Sequence, residues 1–131
     1  MNSNEYLVIL IDDDPLSNLL TTETISFYYP ADKILSYTDP AIGLEKVVSN
    51  IMSCEKIILF LDINMPLISG WDIVEKLSML EVDKSALKIY MLSSSIERAD
   101  KLKVFAYKNV SGYLEKPLYE IDIEAILTEN N

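Results

Sequence analysis

Five short apolar runs recur along the 131-residue sequence, and each is followed by a longer segment with helical character. The first and third runs, residues 6–11 and 56–61, are almost continuously apolar, which is typical of strands that are covered on both faces. Strands that alternate with helices of this length predict a parallel sheet with right-handed crossovers. The sequence therefore indicates an α/β protein with a doubly wound, five-stranded parallel sheet and helices on both faces.

The remaining elements follow from the same alternation and from local start signals. Asp14-Pro15 and Asp39-Pro40 each indicate a helix start, because a proline at the first helical position lacks only an N–H that would be unpaired there. No linker interrupts the pattern, so we expect one domain over residues 1–131, with a core at about 6–128 and no appended effector domain. The further strands are predicted at residues 33–37, 88–92 and 112–115, and the helices at 15–29, 41–49, 71–80, 93–108 and 119–128.

Charge and composition exclude several classes of function. The chain has 11 basic and 21 acidic residues, a net charge of −10, whereas nucleic acids and anionic lipids are bound by basic surfaces. We therefore expect neither nucleic acid nor membrane as a partner, although the acidic charge by itself does not choose a partner. Cys54 is the only cysteine, which prevents an internal disulfide and favours the cytoplasm. The absence of histidine excludes histidine-based catalysis and histidine metal ligands.

Chemically active side chains follow four of the five predicted strands. Asp12 and Asp13 come after the first strand, Asp62 ends the third, Ser93 ends the fourth and Lys116 follows the fifth. In a doubly wound sheet, ligands bind outside the carboxyl ends of the strands. These ends lie on one edge of a parallel sheet, so we expect the five side chains to converge there.

Carboxylates that lie close together repel one another, and this repulsion has to be offset. Two like charges 4 Å apart repel by roughly 4 kcal/mol at an effective dielectric constant of 20. Such a cluster therefore requires raised pKa values, a bound cation, or both. A hard cation such as Mg²⁺ accepts a few carboxylates, a backbone carbonyl and several waters as ligands, which fits this edge of the sheet.

Each of these residues also has a simpler structural interpretation. Asp14 is better explained as a helix cap, which leaves the two preceding aspartates for the ion. Asp62 alone could be a turn residue, Ser93 could cap the fourth helix, and Lys116 could be a solvated charge. Random capping does not predict their joint placement at four strand ends, and this favours a functional site.

Four segments resemble the receiver domain of two-component response regulators: LVILIDDDP (7–15), LFLDINMPLISG (59–70), IYMLSSS (89–95) and SGYLEKP (111–117). The second segment is the most specific, because it places Met-Pro at the third and fourth positions after an aspartate and then a glycine. The resemblance covers nearly the whole chain. It implies a flavodoxin-like strand order, 2-1-3-4-5, and a free-standing receiver in a phosphorelay.

The resemblance also implies roles for individual residues at the carboxyl edge of the sheet, called the acidic edge below because Asp12, Asp13 and Asp62 lie there. Asp62 would accept a phosphoryl group from a histidine kinase or a histidine phosphotransfer protein. Asp12, Asp13 and Asp62 would bind Mg²⁺, with the backbone carbonyl of Asn64 as a further ligand. Such a receiver would be an enzyme only toward itself, because it catalyses its own phosphorylation and dephosphorylation.

The remaining implied roles concern the phosphoryl group and the switch. Ser93 and Lys116 would contact the phosphoryl oxygens, and the Lys116-Pro117 peptide would be cis. Movement of Ser93 would vacate space for Tyr113, the aromatic switch residue, and so change a face formed by the fourth helix, fifth strand and fifth helix. A downstream protein would bind this face, with the receiver as a monomer or as a phosphorylation-dependent dimer.

Two other functions remain open at this point. A pseudo-receiver would keep the fold as an interaction module without using phosphorylation. A small Mg²⁺-dependent phosphohydrolase would use Asp62 on an external substrate, although the chain has no spare residues for a substrate-binding cap. The basic side chains of the fourth helical segment fit either a solvated face or a docking patch; they are Arg98, Lys101, Lys103 and Lys108.

Overall fold

The computed structural model describes residues 5–95 and 97–130, and it contains one parallel sheet in the order β2-β1-β3-β4-β5. The strands are β1 (Tyr6–Ile11), β2 (Ile34–Tyr37), β3 (Lys56–Asp62), β4 (Leu87–Ser93) and β5 (Val110–Glu115). The helices are α1 (Pro15–Ser26), α2 (Pro40–Met52), α3 (Gly70–Ser78), α4 (Arg98–Lys103) and α5 (Glu120–Glu129). The predicted doubly wound sheet and its 2-1-3-4-5 order are confirmed.

Both faces of the sheet are covered, which explains the continuously apolar strands. Successive side chains of a strand point to opposite faces. In β1, Ile9 and Ile11 pack in the core beneath α2 and α3, whereas Val8 and Leu10 pack in the core beneath α1 and α5. Within the described residues, no helix is both long and apolar enough to cross a bilayer.

The two Asp-Pro starts are confirmed. The carboxylate of Asp14 accepts hydrogen bonds from the backbone N–H groups of Leu16 (3.0 Å) and Ser17 (3.4 Å). Asp39 caps α2 in the same way, with the N–H of Ala41 at 2.9 Å. These caps turn the chain into a helix directly after the carboxyl end of a strand, so the first turn of α1 lies beside the acidic edge.

Helix α1 ends three residues before the predicted boundary. Its last residue is Ser26, and the N–H of Phe27 closes the final turn on the carbonyl of Thr24. Tyr29 is only 3% exposed, and its hydroxyl donates a hydrogen bond to the backbone carbonyl of Tyr6. The prediction of a helix through residue 29 was wrong, because a tertiary contact with β1 draws the chain out of the helix.

The fourth helix is also shorter than predicted. Ser93 is the last residue of β4, and its hydroxyl accepts the N–H of Ser95 at 3.1 Å, so it forms a turn and does not cap the helix. The helix occupies only Arg98–Lys103, and Val104–Ala106 tightens into a 3-10 turn. The predicted span of 93–108 was therefore wrong at both ends, and Ile96, which it included, lies outside the described residues.

Gly70 packs closely against the end of β3, and this contact generates a prediction about stability. A Cβ atom on Gly70 would lie 2.4 Å from the carbonyl oxygen of Asp62, so one of the two backbones would have to move. We expect Gly70→Ala to lower the free energy of unfolding by about 2 kcal/mol or more. The matched control is Gly112→Ala, because a Cβ there would meet its nearest neighbour at 3.6 Å; we expect a change within about 0.5 kcal/mol. Urea unfolding measures both, and equal losses would contradict this packing.

Candidate functional site

Three aspartates meet at the carboxyl edge of the sheet. Asp12 and Asp13 follow β1, Asp62 ends β3, and one carboxylate oxygen from each lies within 4.8 Å of the others. Asp12 is 0% exposed and Asp62 only 4%, whereas Asp13 is half-buried. Buried carboxylates are costly unless they are paired, so the site requires positive charge.

Lys116 supplies the positive charge nearest to these carboxylates. Its Nζ atom lies 2.8 Å from Asp12 Oδ2 and 3.3 Å from Asp62 Oδ1. The residue directly follows β5, its backbone N–H donates to the carbonyl of Ser93 (2.9 Å), and its peptide bond to Pro117 is cis. The alternative of a merely solvated lysine is excluded, because the ammonium group bonds two buried carboxylates.

The charges at the site shift the affinity of Asp62 for protons. Burial raises the pKa of Asp62 from 3.8 to about 6, the charge of Lys116 opposes that rise, and the charge of Asp12 adds to it. For Lys116, burial lowers the pKa, but the hydrogen bond to Asp12 and the charge of Asp62 outweigh burial and raise it above its ordinary value. Lys116 is therefore cationic at neutral pH.

Two polar residues in the first turns of α1 belong to the site but were not predicted. The hydroxyl of Ser17 donates to Asp12 Oδ2 (2.6 Å) and accepts from Lys116 Nζ (3.1 Å). The amide of Asn18 donates to the backbone carbonyls of Asp12 (3.2 Å) and Tyr37 (3.1 Å), which ties α1 to the ends of β1 and β2. The sequence did contain a signal for them, because Ser17 and Asn18 lie three and four residues after the helix cap Asp14 and thus in the first turns of α1.

Ser93 faces the loop that follows Asp62. Its side chain is fully buried at the end of β4, and its hydroxyl donates to the carbonyl of Ser95 (3.0 Å). The side-chain amide of Asn64 donates to the same hydroxyl at 3.0 Å. This amide contact was not predicted, and the role of the Asn64 backbone carbonyl as a metal ligand stays a prediction.

Tyr113 lies in β5 and is 39% exposed. The ammonium group of Lys101 lies 5.8 Å from the centroid of its ring, a cation–π distance that links β5 to α4. The ring is thus accessible on the face formed by α4, β5 and α5. Its predicted role as a switch, which requires it to move inward when Ser93 moves, stays a prediction.

The donor set at this edge fits Mg²⁺. Three carboxylates and one lysine leave a formal charge of −2, and the clustered donors are carboxylate oxygens, which hard cations prefer. Lys116 Nζ lies beside the carboxylate of Asp62, and a cation held by the three aspartates would add a second positive charge that can stabilise a phosphoryl group. The arrangement is suited to accepting a phosphoryl group on an aspartate.

A five-stranded parallel sheet of this order, with aspartates and a lysine at its carboxyl edge, defines a receiver-type signalling domain. Residues 8–128 match the family model for the response regulator receiver domain, and the chain therefore belongs to this family of two-component signalling proteins. Receiver domains are signalling domains and not enzymes in the usual sense.

Solved structures with the same fold include three from bacteria. A two-component response regulator from Cytophaga hutchinsonii is 28% identical with a TM-score of 0.80, over 96% of this chain and 98% of that one. Chemotaxis protein CheY4 from Vibrio cholerae is 21% identical with a TM-score of 0.74, over 95% and 97% of the two chains. A receiver protein from Dyadobacter fermentans is 20% identical with a TM-score of 0.76, over 93% and 94%. No curated protein sequence matches significantly.

The raised pKa of Asp62 predicts a pH-dependent cost to stability in the absence of Mg²⁺. The folded protein holds this proton more tightly than the unfolded chain does, so the wild type loses stability as the pH rises from about 4 through about 6. We expect Asp62→Asn to raise the free energy of unfolding by about 1 to 3 kcal/mol at pH 7.5 and by little at pH 4. Urea unfolding across this pH range, with a chelator present, measures the difference. A gain that is the same at both pH values would contradict the charge cost.

Proposed function

We propose that Asp62 accepts a phosphoryl group from a histidine kinase or a histidine phosphotransfer protein, in a reaction that requires Mg²⁺. The observation that carries this proposal is the position of the Asp62 carboxylate, which lies 3.3 Å from Lys116 Nζ and within the cluster of Asp12 and Asp13. An aspartate in this setting is a competent nucleophile whose product is surrounded by groups that can neutralise it.

In the transfer step, a carboxylate oxygen of Asp62 attacks the phosphorus of a phosphohistidine. A P–O bond forms, the P–N bond breaks, and the leaving imidazole nitrogen keeps the electron pair and takes up a proton. Asp12, Asp13, Asp62 and the carbonyl of Asn64 would hold Mg²⁺, which supplies positive charge to the phosphoryl oxygens when it is bound. Slow hydrolysis of the same acyl phosphate returns the protein to its starting state.

Lys116 and Ser93 would contact the transferred group. Lys116 Nζ already lies beside Asp62 Oδ1, so the phosphoryl oxygens can replace carboxylate oxygens as its partners. The hydroxyl of Ser93 bonds Ser95 and Asn64 before transfer, and it can turn toward the new anionic oxygens. These two residues thus connect the chemistry at Asp62 to the ends of β4 and β5.

A groove beside the site offers a place for the donor protein. It has a volume of about 590 Å³ and runs between α1 and the segment that follows β5, with Ser17 and Lys116 in its wall. Apolar side chains of α1 also line it, and Leu16, Leu20 and Phe27 are 64%, 52% and 73% exposed. A donor seated here would bring its histidine to the open side of the acidic edge.

The output surface is proposed to be the face formed by α4, β5 and α5. Leu102 and Phe105, in and just after α4, are 62% and 87% exposed, and Ile121 of α5 is 74% exposed. Inward movement of Tyr113 after Ser93 turns would change this face, which a downstream protein, or a second phosphorylated copy, would then bind. The net charge of −10 opposes binding to nucleic acid or membranes, and the single cysteine favours the cytoplasm.

Intact mass spectrometry after incubation with acetyl phosphate tests the proposed chemistry. We expect wild type to gain one phosphoryl group with Mg²⁺ and none with a chelator, and we expect Asp62→Asn to gain none under either condition. The matched control is Asp39→Asn, which keeps a good cap on α2 and should be phosphorylated like wild type. Absence of an adduct in every protein, together with failure to bind beryllofluoride, would support the pseudo-receiver instead.

Binding of Mg²⁺ gives a second prediction. Asp13 is half-buried, and no hydrogen bond to its side chain occurs among the described residues, so Asp13→Asn should remove a ligand with little damage to the fold. We expect the melting temperature of wild type to rise with added Mg²⁺, and Asp13→Asn to weaken the apparent affinity by about 10-fold or more. Asp14→Asn is the control, because asparagine is an equally good helix cap and Asp14 lies outside the cluster. Equal effects of the two substitutions would contradict the assigned ligands.

A further inference from the structure

Helix α4 is short and has no buried residues that would fix its position. It contains six residues, Arg98–Lys103, and none of them is buried. A helix this short is marginally stable in water, and an element with few buried apolar contacts opens easily. The position of α4 therefore depends on side chains that neighbouring elements extend toward it.

Trp71, the only tryptophan and the second residue of α3, makes several such contacts. Its indole Nε1–H donates to Asp100 Oδ1 at 3.0 Å, and Lys103 Nζ lies 5.6 Å from the centroid of its ring. The ring of Tyr107, just after the 3-10 turn, stacks on the indole with centroids 6.1 Å apart and planes at 22°. Trp71 is 7% exposed, so its contacts with Asp100 and Lys103 of α4 form on a nearly buried residue.

The acceptor of the indole N–H also caps α4. Asp100 Oδ2 accepts the backbone N–H of Glu97 at 3.2 Å, while Asp100 Oδ1 accepts the indole. One carboxylate thus completes the first turn of α4 and fastens that turn to α3. Movement of the first turn away from α3 would break the bond to Trp71.

Trp71 itself is fixed relative to the acidic site. The N–H of Gly70 donates to the carbonyl of Ile63 (2.8 Å), and the Cα of Gly70 lies so close to Asp62 that a Cβ atom would be 2.4 Å from its carbonyl oxygen. The backbone next to Trp71 is therefore held against the start of the loop that follows Asp62, by this hydrogen bond and by close packing. Among the described residues, no hydrogen bond ties the start of α4 to that loop, and the turn at Ser93 and Ser95 precedes α4 in the sequence.

We propose that Trp71 is a positioning residue that holds α4 in the unphosphorylated arrangement, and that phosphorylation of Asp62 loosens its hydrogen bond to Asp100. This inference rests on the proposed function. When Ser93 turns toward the phosphoryl oxygens, it gives up its hydrogen bonds with Ser95. The turn that precedes α4 is then released, and the first turn of α4 can move away from α3. The indole stays with α3, so its bond to Asp100 is stretched.

The indole N–H reports directly on this event, because the chain has a single tryptophan. We would record ¹H–¹⁵N spectra of the full chain before and after addition of Mg²⁺ and beryllofluoride. We expect the indole resonance to move upfield and its hydrogen exchange to accelerate by about 10-fold or more, while the amides of residues 63–65 and 67–70 also shift. Shifted loop amides with an unchanged indole would overturn the role of Trp71. Absence of all shifts would overturn the proposed function, and the coupling with it.

A substitution tests whether the bond favours the unphosphorylated arrangement. Trp71→Phe keeps an aromatic ring against Tyr107 but removes the N–H, so by reciprocity it should bind beryllofluoride about 3- to 10-fold more tightly than wild type. The control is Tyr107→Phe, which removes a hydroxyl bond to Glu75 (2.6 Å) in the same cluster and should stay within about 2-fold of wild type.

A purely structural Trp71 would affect stability and leave the affinity for beryllofluoride unchanged, and that result would overturn the proposal. Asp100→Asn provides a second variant should Trp71→Phe fail to fold, because it replaces the charged acceptor of the indole by a neutral one. We expect Asp100→Asn also to bind beryllofluoride more tightly than wild type. A weaker or equal affinity in Asp100→Asn would argue against a bond that restrains α4.

Discussion

The excess of negative charge at the carboxyl edge of the sheet is the constraint around which the site is built. Three carboxylates gather there, and Lys116 is bonded to two of them, 2.8 Å from Asp12 and 3.3 Å from Asp62. This arrangement exists only when β1, β3 and β5 are assembled, because each strand contributes residues at its end. The cluster is therefore a product of the complete sheet, and its incomplete neutralisation leaves it ready for a divalent cation and an incoming phosphoryl group.

Stability and function oppose each other at this edge. Burial raises the pKa of Asp62 to about 6, so at neutral pH the folded protein holds a carboxylate in a place that disfavours its charge. Natural proteins commonly retain such a cost where activity needs it. The neighbouring carboxylate of Asp12 is stabilised by hydrogen bonds, from the hydroxyl of Ser17 to Oδ2 at 2.6 Å and from the peptide N–H of Asp14 to Oδ1 at 3.1 Å. The apolar side chains packed on both faces of the sheet stabilise the fold and so offset the destabilising effect of the buried Asp62 charge.

The parts of the site that could be predicted are those that follow directly from a strand end. Asp12, Asp62, Ser93 and Lys116 each end or follow an apolar run, so their convergence required only the knowledge that parallel strands end on one edge. Ser17 was missed because its contact depends on how α1 is rotated over the sheet. The contact of the Asn64 side chain with Ser93 was missed because it depends on the path of an irregular loop.

The sequence by itself determined the alternation of strands and helices, the two helix starts at Asp-Pro, and the strand ends that carry the chemistry. These features arise from apolar patterning and from capping, which act over a few neighbouring residues. Only the tertiary structure decided where α1 and α4 end, how Lys116 divides its bonds between two carboxylates, and that Trp71 binds Asp100. The physical reason is distance along the chain, because Trp71 and Asp100 are 29 positions apart and Lys116 and Asp12 are 104 apart. Contacts of that kind depend on packing the whole sheet with its helices, which no local pattern encodes.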